Sequence, residues 1–214
     1  MHELAGHALE ADRALAGSWL ARRGAGVADE QLVVIDDPRR GRMGWRIDDE
    51  GEAAGPTLLL RGGKVCRWML DQRTAVATRR QPSGHGRRSS FREPVRPRMG
   101  CTFIASGALS AQDVLSGTTG IYVRRMEAAH TDPVQGTAVF RVTDADRIEQ
   151  GRAMVALHPL LLVVRGMTAL TTIDRVANDL AFDACVGSCH KHAQPLAVSV
   201  GAPTIRLRLA SVVC

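Results

Sequence analysis

Thr57-Leu58-Leu59-Leu60-Arg61-Gly62-Gly63-Lys64-Val65-Cys66-Arg67-Trp68-Met69-Leu70 sets two apolar runs on either side of a glycine pair. A two-residue primed turn needs φ > 0 at its centre, which glycine adopts freely, so the stretch predicts a hairpin of strands 57–61 and 64–70. Other short apolar runs extend the pattern. Residues 31–35 read as a buried strand closed by Asp36-Asp37-Pro38, and 99–105 as another. From Ile121 the chain is strand-rich, with strands expected at 137–142, 152–156 and 160–165, then at 196–200 and 204–209 about Gly201-Ala202-Pro203. Helices are fewer. Residues 2–23 are rich in Ala, Leu, Glu and Arg, with Leu9, Leu15 and Leu20 at helical spacing. Residues 110–115 fit a short helix with Ser110 as N-cap. Residues 167–179 read as a helix with Leu170, Ile173, Val176 and Leu180 on one face. Hairpins with few helices define an α+β domain that is antiparallel and β-rich.

Composition narrows the class. The 214 residues suit one large domain or two small ones, and an apolar content of 45% with 23% charged residues is ordinary for a globular protein. Aromatics are only 4%, so the core must be aliphatic. The N-terminus lacks the apolar segment of a signal peptide, and Leu160–Val164 is far too short to span a bilayer. The expectation is a cytoplasmic protein with no membrane partner. Five cysteines, an odd number, argue against a disulfide framework and leave thiols as fillers or metal ligands.

The chemistry is concentrated at the N-terminus: His2-Glu3-Leu4-Ala5-Gly6-His7. Two imidazoles beside a glutamate are how many zinc peptidases hold a metal and take a proton from its bound water. The common HExxH spacing sets the two histidines about 40° apart on a helix, whereas a five-residue spacing sets them about 140° apart. Either the pattern is coincidental or the helix is distorted to i→i+5 as in a π-bulge, bringing both rings onto one face. A catalytic zinc needs a third protein ligand. Cys185-Val186-Gly187-Ser188-Cys189-His190-Lys191-His192, near the other end of the chain, offers candidates.

The segment HELAGHALEAD resembles the HExxxHGLEGD-type motif of the TldD/PmbA metallopeptidases, proteins also called modulators of DNA gyrase. IDDEGEAAGPTLLLRGGKV, PSGHGRRSSFREPVRPRM and RVANDLAFDACVGSCHKHAQPLAVSVGAPTIRL resemble further family blocks in the same order. The resemblance implies that residues 1–214 are a single C-terminal catalytic domain, without the family's N-terminal domain. It implies one zinc per chain held by His2, His7 and Cys189, with Glu3 as the catalytic base. It implies a peptide or unfolded protein substrate lying extended along a sheet edge, and a homo- or heterodimer with a related TldD/PmbA subunit. The sequence departs from the family where CHKHAQPL replaces a glycine-bearing CGKxGQSV loop.

Other residues carry weaker signals. His190 and His192 are alternative ligands, while His130 and His158 lack ligand spacing. Cys66 and Cys101 sit in strand patterns and are expected to be buried; Cys185 and Cys214 are fillers. His85, in a glycine-flanked loop, is a candidate substrate contact, as are Arg87 and Arg88. The net charge of +6 owes much to arginines between Arg79 and Arg98, an expected long irregular loop. Basic loops bind phosphate, but Phe91 is the sole aromatic there, which weighs against nucleic acid and for ion pairs or peptide contacts. The alternatives to a peptidase are a non-catalytic interaction subunit of the same family and, behind it, a basic nucleic-acid-binding protein.

Overall fold

The computed structural model describes residues 1–208, so Leu209 of the expected 204–209 strand and Cys214 lie outside the described residues. The chain opens with a π-helical turn at His2–Gly6 and a 3-10 turn at His7–Leu9, followed by α1 (Ala11–Leu15). Next come β1 (Val34–Asp36), β2 (Thr57–Arg61), β3 (Lys64–Val65), α2 (Gln72–Thr78), β4 (Gly86–Arg87), β5 (Arg96–Pro97), β6 (Cys101–Ile104) and α3 (Ala111–Leu115). Four strands follow: β7 (Gly120–Asp132), β8 (Thr137–Glu149), β9 (Arg152–Ala156) and β10 (Leu160–Arg165). The chain finishes with α4 (Gly166–Thr171), β11 (Ile173–Val176), β12 (Ala181–Phe182), β13 (Gly187–Lys191), β14 (Gln194–Ala202) and β15 (Ile205–Leu207). The class is α+β, as expected.

The main sheet runs β12-β14-β6-β1-β2-β3, with β13 paired to β14. Both halves of the chain build it. Strand β6 is buried at every position and lies between β1 and β14; a strand covered on both faces reads as an unbroken apolar run rather than an alternation. Its pairing with β14 is parallel, Ser199 opposite Cys101 and Gly201 opposite Phe103. Parallel neighbours need a long crossover, and here the crossover contains the second sheet, β10-β8-β7 with β9 beside β8. Cys189 therefore returns to the N-terminal turn from the far side of an inserted sheet.

Several elements differ from the sequence reading. The 2–23 helix is broken. Glu10 is extended (φ −64°, ψ 126°), because the backbone there bonds to another segment. Met69 N donates to Leu9 O and Ala11 N to Met69 O, each at 2.9 Å. The first hairpin turns on Gly62 and Gly63 with φ of 57° and 67° as required, but its second strand ends at Val65, leaving Cys66 exposed while Cys101 is buried. Helix α2, capped reciprocally by Asp71 and Thr74, was not anticipated. The 79–98 loop holds the short β4–β5 ladder. The 167–179 helix ends at Thr171; Ile173 and Val176 are buried on strand β11 instead. A bulge between Ile173 and Arg175 puts residues three apart on one face, so a strand carries helix-like spacing.

The core is aliphatic, centred on Leu9, Leu20, Leu32, Leu59, Leu60, Met69, Met99 and Ile104, with Trp19 at its edge. Trp19 joins the N-terminal turn to the second sheet. Its Nε1 donates to Leu4 O at 3.3 Å, and its ring lies so close to Gly136 and Gly166 that a Cβ on either would come within 2.5 Å. No helix among the described residues is long and apolar enough to cross a membrane. Trp19→Ala is expected to lower stability by about 3–5 kcal/mol, the usual cost of truncating a large core aromatic, read as a lower urea midpoint by far-ultraviolet circular dichroism.

Candidate metal centre

His7 N–H closes the π-turn onto His2 O. An i→i+5 turn returns residues five apart to one side of the helix, and the two imidazoles meet edge to face with centroids 4.9 Å apart. Strand β13 supplies the third group: Cys189 Sγ is 3.5 Å from His7 Nε2. One ligand atom from each of His2, His7 and Cys189 lies within 4.8 Å of the other two, and all three residues are buried. Two donors on a tetrahedral zinc, one nitrogen and one sulfur, sit about 3.6 Å apart given bonds of about 2.0–2.3 Å. His2 Nδ1 is buried without a hydrogen-bond partner, an atom that asks for an unseen partner or ion. The donor set thus fits zinc.

Glu3 stands beside the triad. Its Oε2 is 3.8 Å from His7 Nε2 and accepts a 2.7 Å bond from Thr131 Oγ1 of β7. Burial pushes the Glu3 carboxyl up, but His2, the Thr131 bond and His7 outweigh it and hold it below its ordinary value. His7 Nδ1 faces Glu10 Oε2 at 3.2 Å, the carboxylate–histidine arrangement that fixes a ligand ring. Glu10 is itself fully buried, 3.1 Å from Lys191 Nζ and 3.9 Å from Arg98 Nε. Burial raises its carboxyl, yet Lys191 and His7 bring it down to about 2. Lys191 also donates to Asp12 Oδ1 at 2.6 Å and Pro97 O at 2.9 Å. Arg98 donates to Cys189 O at 2.7 Å and Gln194 O at 3.1 Å, which anchors the β13–β14 hairpin behind the site.

Free of metal, the triad holds charge of its own. Burial pushes the Cys189 thiol up, but hydrogen bonds from His2 and His7 and their charge bring it down to about 5. Burial disfavours charge on His7, but its bonds to Cys189 and Glu10 raise it to about 9. The Cys189 contribution to stability is complete above its ordinary value of 9.0 and lost as pH falls through about 5. The His7 contribution is complete below 6.5 and lost as pH rises through about 9.

The triad and Glu3 line a cavity of about 370 Å³, together with Arg13, Ala128–Thr131 of β7, Ser188 and His190. His130, which has no ligand spacing, reaches the site because β7 passes it. The expected substrate contacts are elsewhere. His85 is fully buried, bonded through Nε2 to Asp36 Oδ1 at 3.1 Å and through Nδ1 to Ser83 O at 2.8 Å. It clips the loop to β1. Arg87 binds Asp49 at 2.9 Å and stacks on Trp45, and Arg88 donates its backbone N–H to the same carboxylate. None of the three lines the cavity. Sequence reasoning missed Glu10, Arg98 and Lys191; an acid three residues after His7 was the available signal for the first.

The α+β scaffold thus presents a His-His-Cys donor set with an adjoining glutamate. A family model described as the PmbA/TldA metallopeptidase C-terminal domain matches residues 1–213, and the chain belongs to that family. It is 30% identical over 212 residues to a metalloprotease TldD homologue of Buchnera aphidicola subsp. Acyrthosiphon pisum, covering 97% of this chain and 44% of the relative. It is 25% identical over 210 residues to a zinc metalloprotease TldD homologue of Saccharolobus solfataricus, covering 97% of this chain and 47% of that one. The crystal structure of TldE from Thermococcus kodakarensis shares the fold, with a TM-score of 0.76 at 19% identity over 93% of this chain and 44% of that chain. The chain therefore spans less than half the length of these relatives.

In the metal-free protein, ultraviolet thiolate absorbance from Cys189 should disappear with a midpoint near pH 5 as the solution is acidified. A midpoint near that of an ordinary thiol, or an unchanged curve in Cys189→Ser, would show that the pair does not form.

Proposed function

We propose that this chain is the catalytic domain of a zinc-dependent peptidase acting on extended or unstructured peptides. One observation carries the reading: three buried donors within 4.8 Å of one another, with the Glu3 carboxylate beside them, on the wall of a single cavity. His2, His7 and Cys189 would hold one zinc per chain. Zinc in such a site lowers the pKa of a coordinated water toward neutrality and polarises a carbonyl. Glu3, kept ionised by its neighbours and aimed by Thr131, accepts the proton of the attacking water and passes it to the leaving amine. Glu10 holds His7 in the tautomer that turns Nε2 toward Cys189.

The substrate lies along β7. That strand ends its sheet, so one side of it lacks a neighbouring strand in the described residues, and its residues 128–131 line the cavity. An extended peptide adds to such an edge through backbone hydrogen bonds and needs little side-chain specificity. The reading includes a homo- or heterodimer with a related TldD/PmbA subunit, checked by light scattering with and without such a partner.

Purified protein should carry about one zinc by elemental analysis, a ligand count consistent with a single catalytic site. His7→Ala should lose the metal, whereas Glu3→Ala should keep it and no longer cleave an unfolded protein. Protein prepared without chelator that contains no zinc contradicts the proposal. Zinc-bearing wild type that cleaves nothing, even with a related subunit present, makes this a non-catalytic interaction subunit instead. Glu10→Gln should weaken zinc binding by about 10–100-fold, the usual effect of losing a partner of a ligating histidine, in competition with a chromophoric chelator.

A further inference from the structure

The charges behind the donor triad do not cancel. Three buried or half-buried cations, Arg13, Arg98 and Lys191, share two carboxylates, Glu10 and Asp12. Lys191 takes the short contacts to both acids, and Arg98 spends its N–H groups on Cys189 O and Gln194 O. Arg13 is left with one ion contact among the described residues, Nε to Glu10 Oε2 at 3.6 Å, too long for a good hydrogen bond. Arg13 is among the residues that line the cavity holding the triad, and its side chain is partly exposed.

The anionic groups on that wall are already engaged elsewhere, the Cys189 sulfur by His7 at 3.5 Å. Glu3 is the sole carboxylate lining the cavity among the described residues, and it is engaged by Thr131. The other polar groups there include Ser188, His130 and His190, which can all donate. On the neighbouring turn, burial first and then Arg96, Lys191 and Arg13 push the His192 pKa down, with Asp12 opposing them. The cavity, about 370 Å³, is at the small end for ligand sites. A group bound at Arg13 thus belongs to a residue close to the scissile bond.

We propose that Arg13 forms a carboxylate subsite of this cavity, which selects peptides bearing an acidic side chain near the scissile bond or a free C-terminus there. The inference rests on the peptidase reading and adds the substrate's charge to it. A guanidinium binds a carboxylate through two parallel N–H bonds, which an ammonium cannot reproduce. The leftover positive charge and the hydrogen-bond donors around it fit the same anion.

The test measures binding to the zinc-loaded Glu3→Gln protein, which should bind without cleaving. The probes are three fluorescent versions of one extended peptide: neutral and amidated, neutral with a free C-terminal carboxylate, and amidated with Glu replacing Gln at successive positions. At least one acid-bearing form should bind about tenfold more tightly than the neutral form, the value of one charge-assisted hydrogen bond. Preference in the second arm assigns the terminal carboxylate, and in the third the acidic side chain. Adding Arg13→Gln should remove the difference, while Arg13→Lys should keep part of it. Equal binding of all forms, or a preference that survives Arg13→Gln, overturns the subsite and leaves the peptidase reading standing. Failure to bind any of the peptides overturns both.

Discussion

The Glu10 carboxylate is fully buried and must keep its charge among groups that arrive from three parts of the chain. His7 comes from the preceding turn, Arg98 from the segment after β5, and Lys191 from β13. Removing two or three charges from water costs several kcal/mol each unless their geometry and remaining hydrogen bonds are satisfied. That demand fixes the relative position of the N-terminal turn, the arginine-rich loop and the β13–β14 hairpin. Cys189 lies two residues before Lys191 on the same strand, so the ion pair of Lys191 with Glu10 Oε2 also delivers the thiol to the histidines. The helix cannot continue through Glu10, because that residue turns away from helical geometry to pair with the segment at Met69.

The two sheets divide the work around this centre. The main sheet, closed by the parallel β6–β14 pairing, supports the three candidate donors from behind. The inserted sheet brings β7 across the front, where Thr131 donates to Glu3 and residues 128–131 line the cavity. Trp19 holds the turn against that sheet. The β13–β14 hairpin turns on His192 and Ala193, with φ of 49° and 61°. This is left-handed geometry that glycine accepts without cost and that costs other residues about 1–2 kcal/mol each. Of the two positions where the family's CGKxGQSV has glycine, Ala193 takes the strained turn and His190 sits on β13, with Cys189 in register opposite Leu196.

Local rules worked where neighbours along the chain decide structure. The Gly62-Gly63 turn, the Ser110 cap and the late strands around Gly201 were legible because φ preferences and capping are set within a few residues. The 2–23 helix and the 167–179 helix were misread because a tertiary partner overrode spacing: Met69 in the first case, pairing with β15 through a bulge in the second. His85 looked accessible because glycines flank it, yet its two ring nitrogens found Asp36 and Ser83 in the interior.

The sequence by itself determined the α+β class, the aliphatic core and the identity of the donor atoms, since residue type fixes what can bind a metal or move a proton. Its five-residue histidine spacing left either coincidence or an i→i+5 turn, and the turn is observed. The family resemblance already pointed to Cys189, but only the tertiary structure brought it to the histidines and decided which buried charges stand behind them and which arginine lines the cavity. Those pairings span up to 182 residues. They depend on where an inserted sheet returns the chain, and no local pattern encodes that distance.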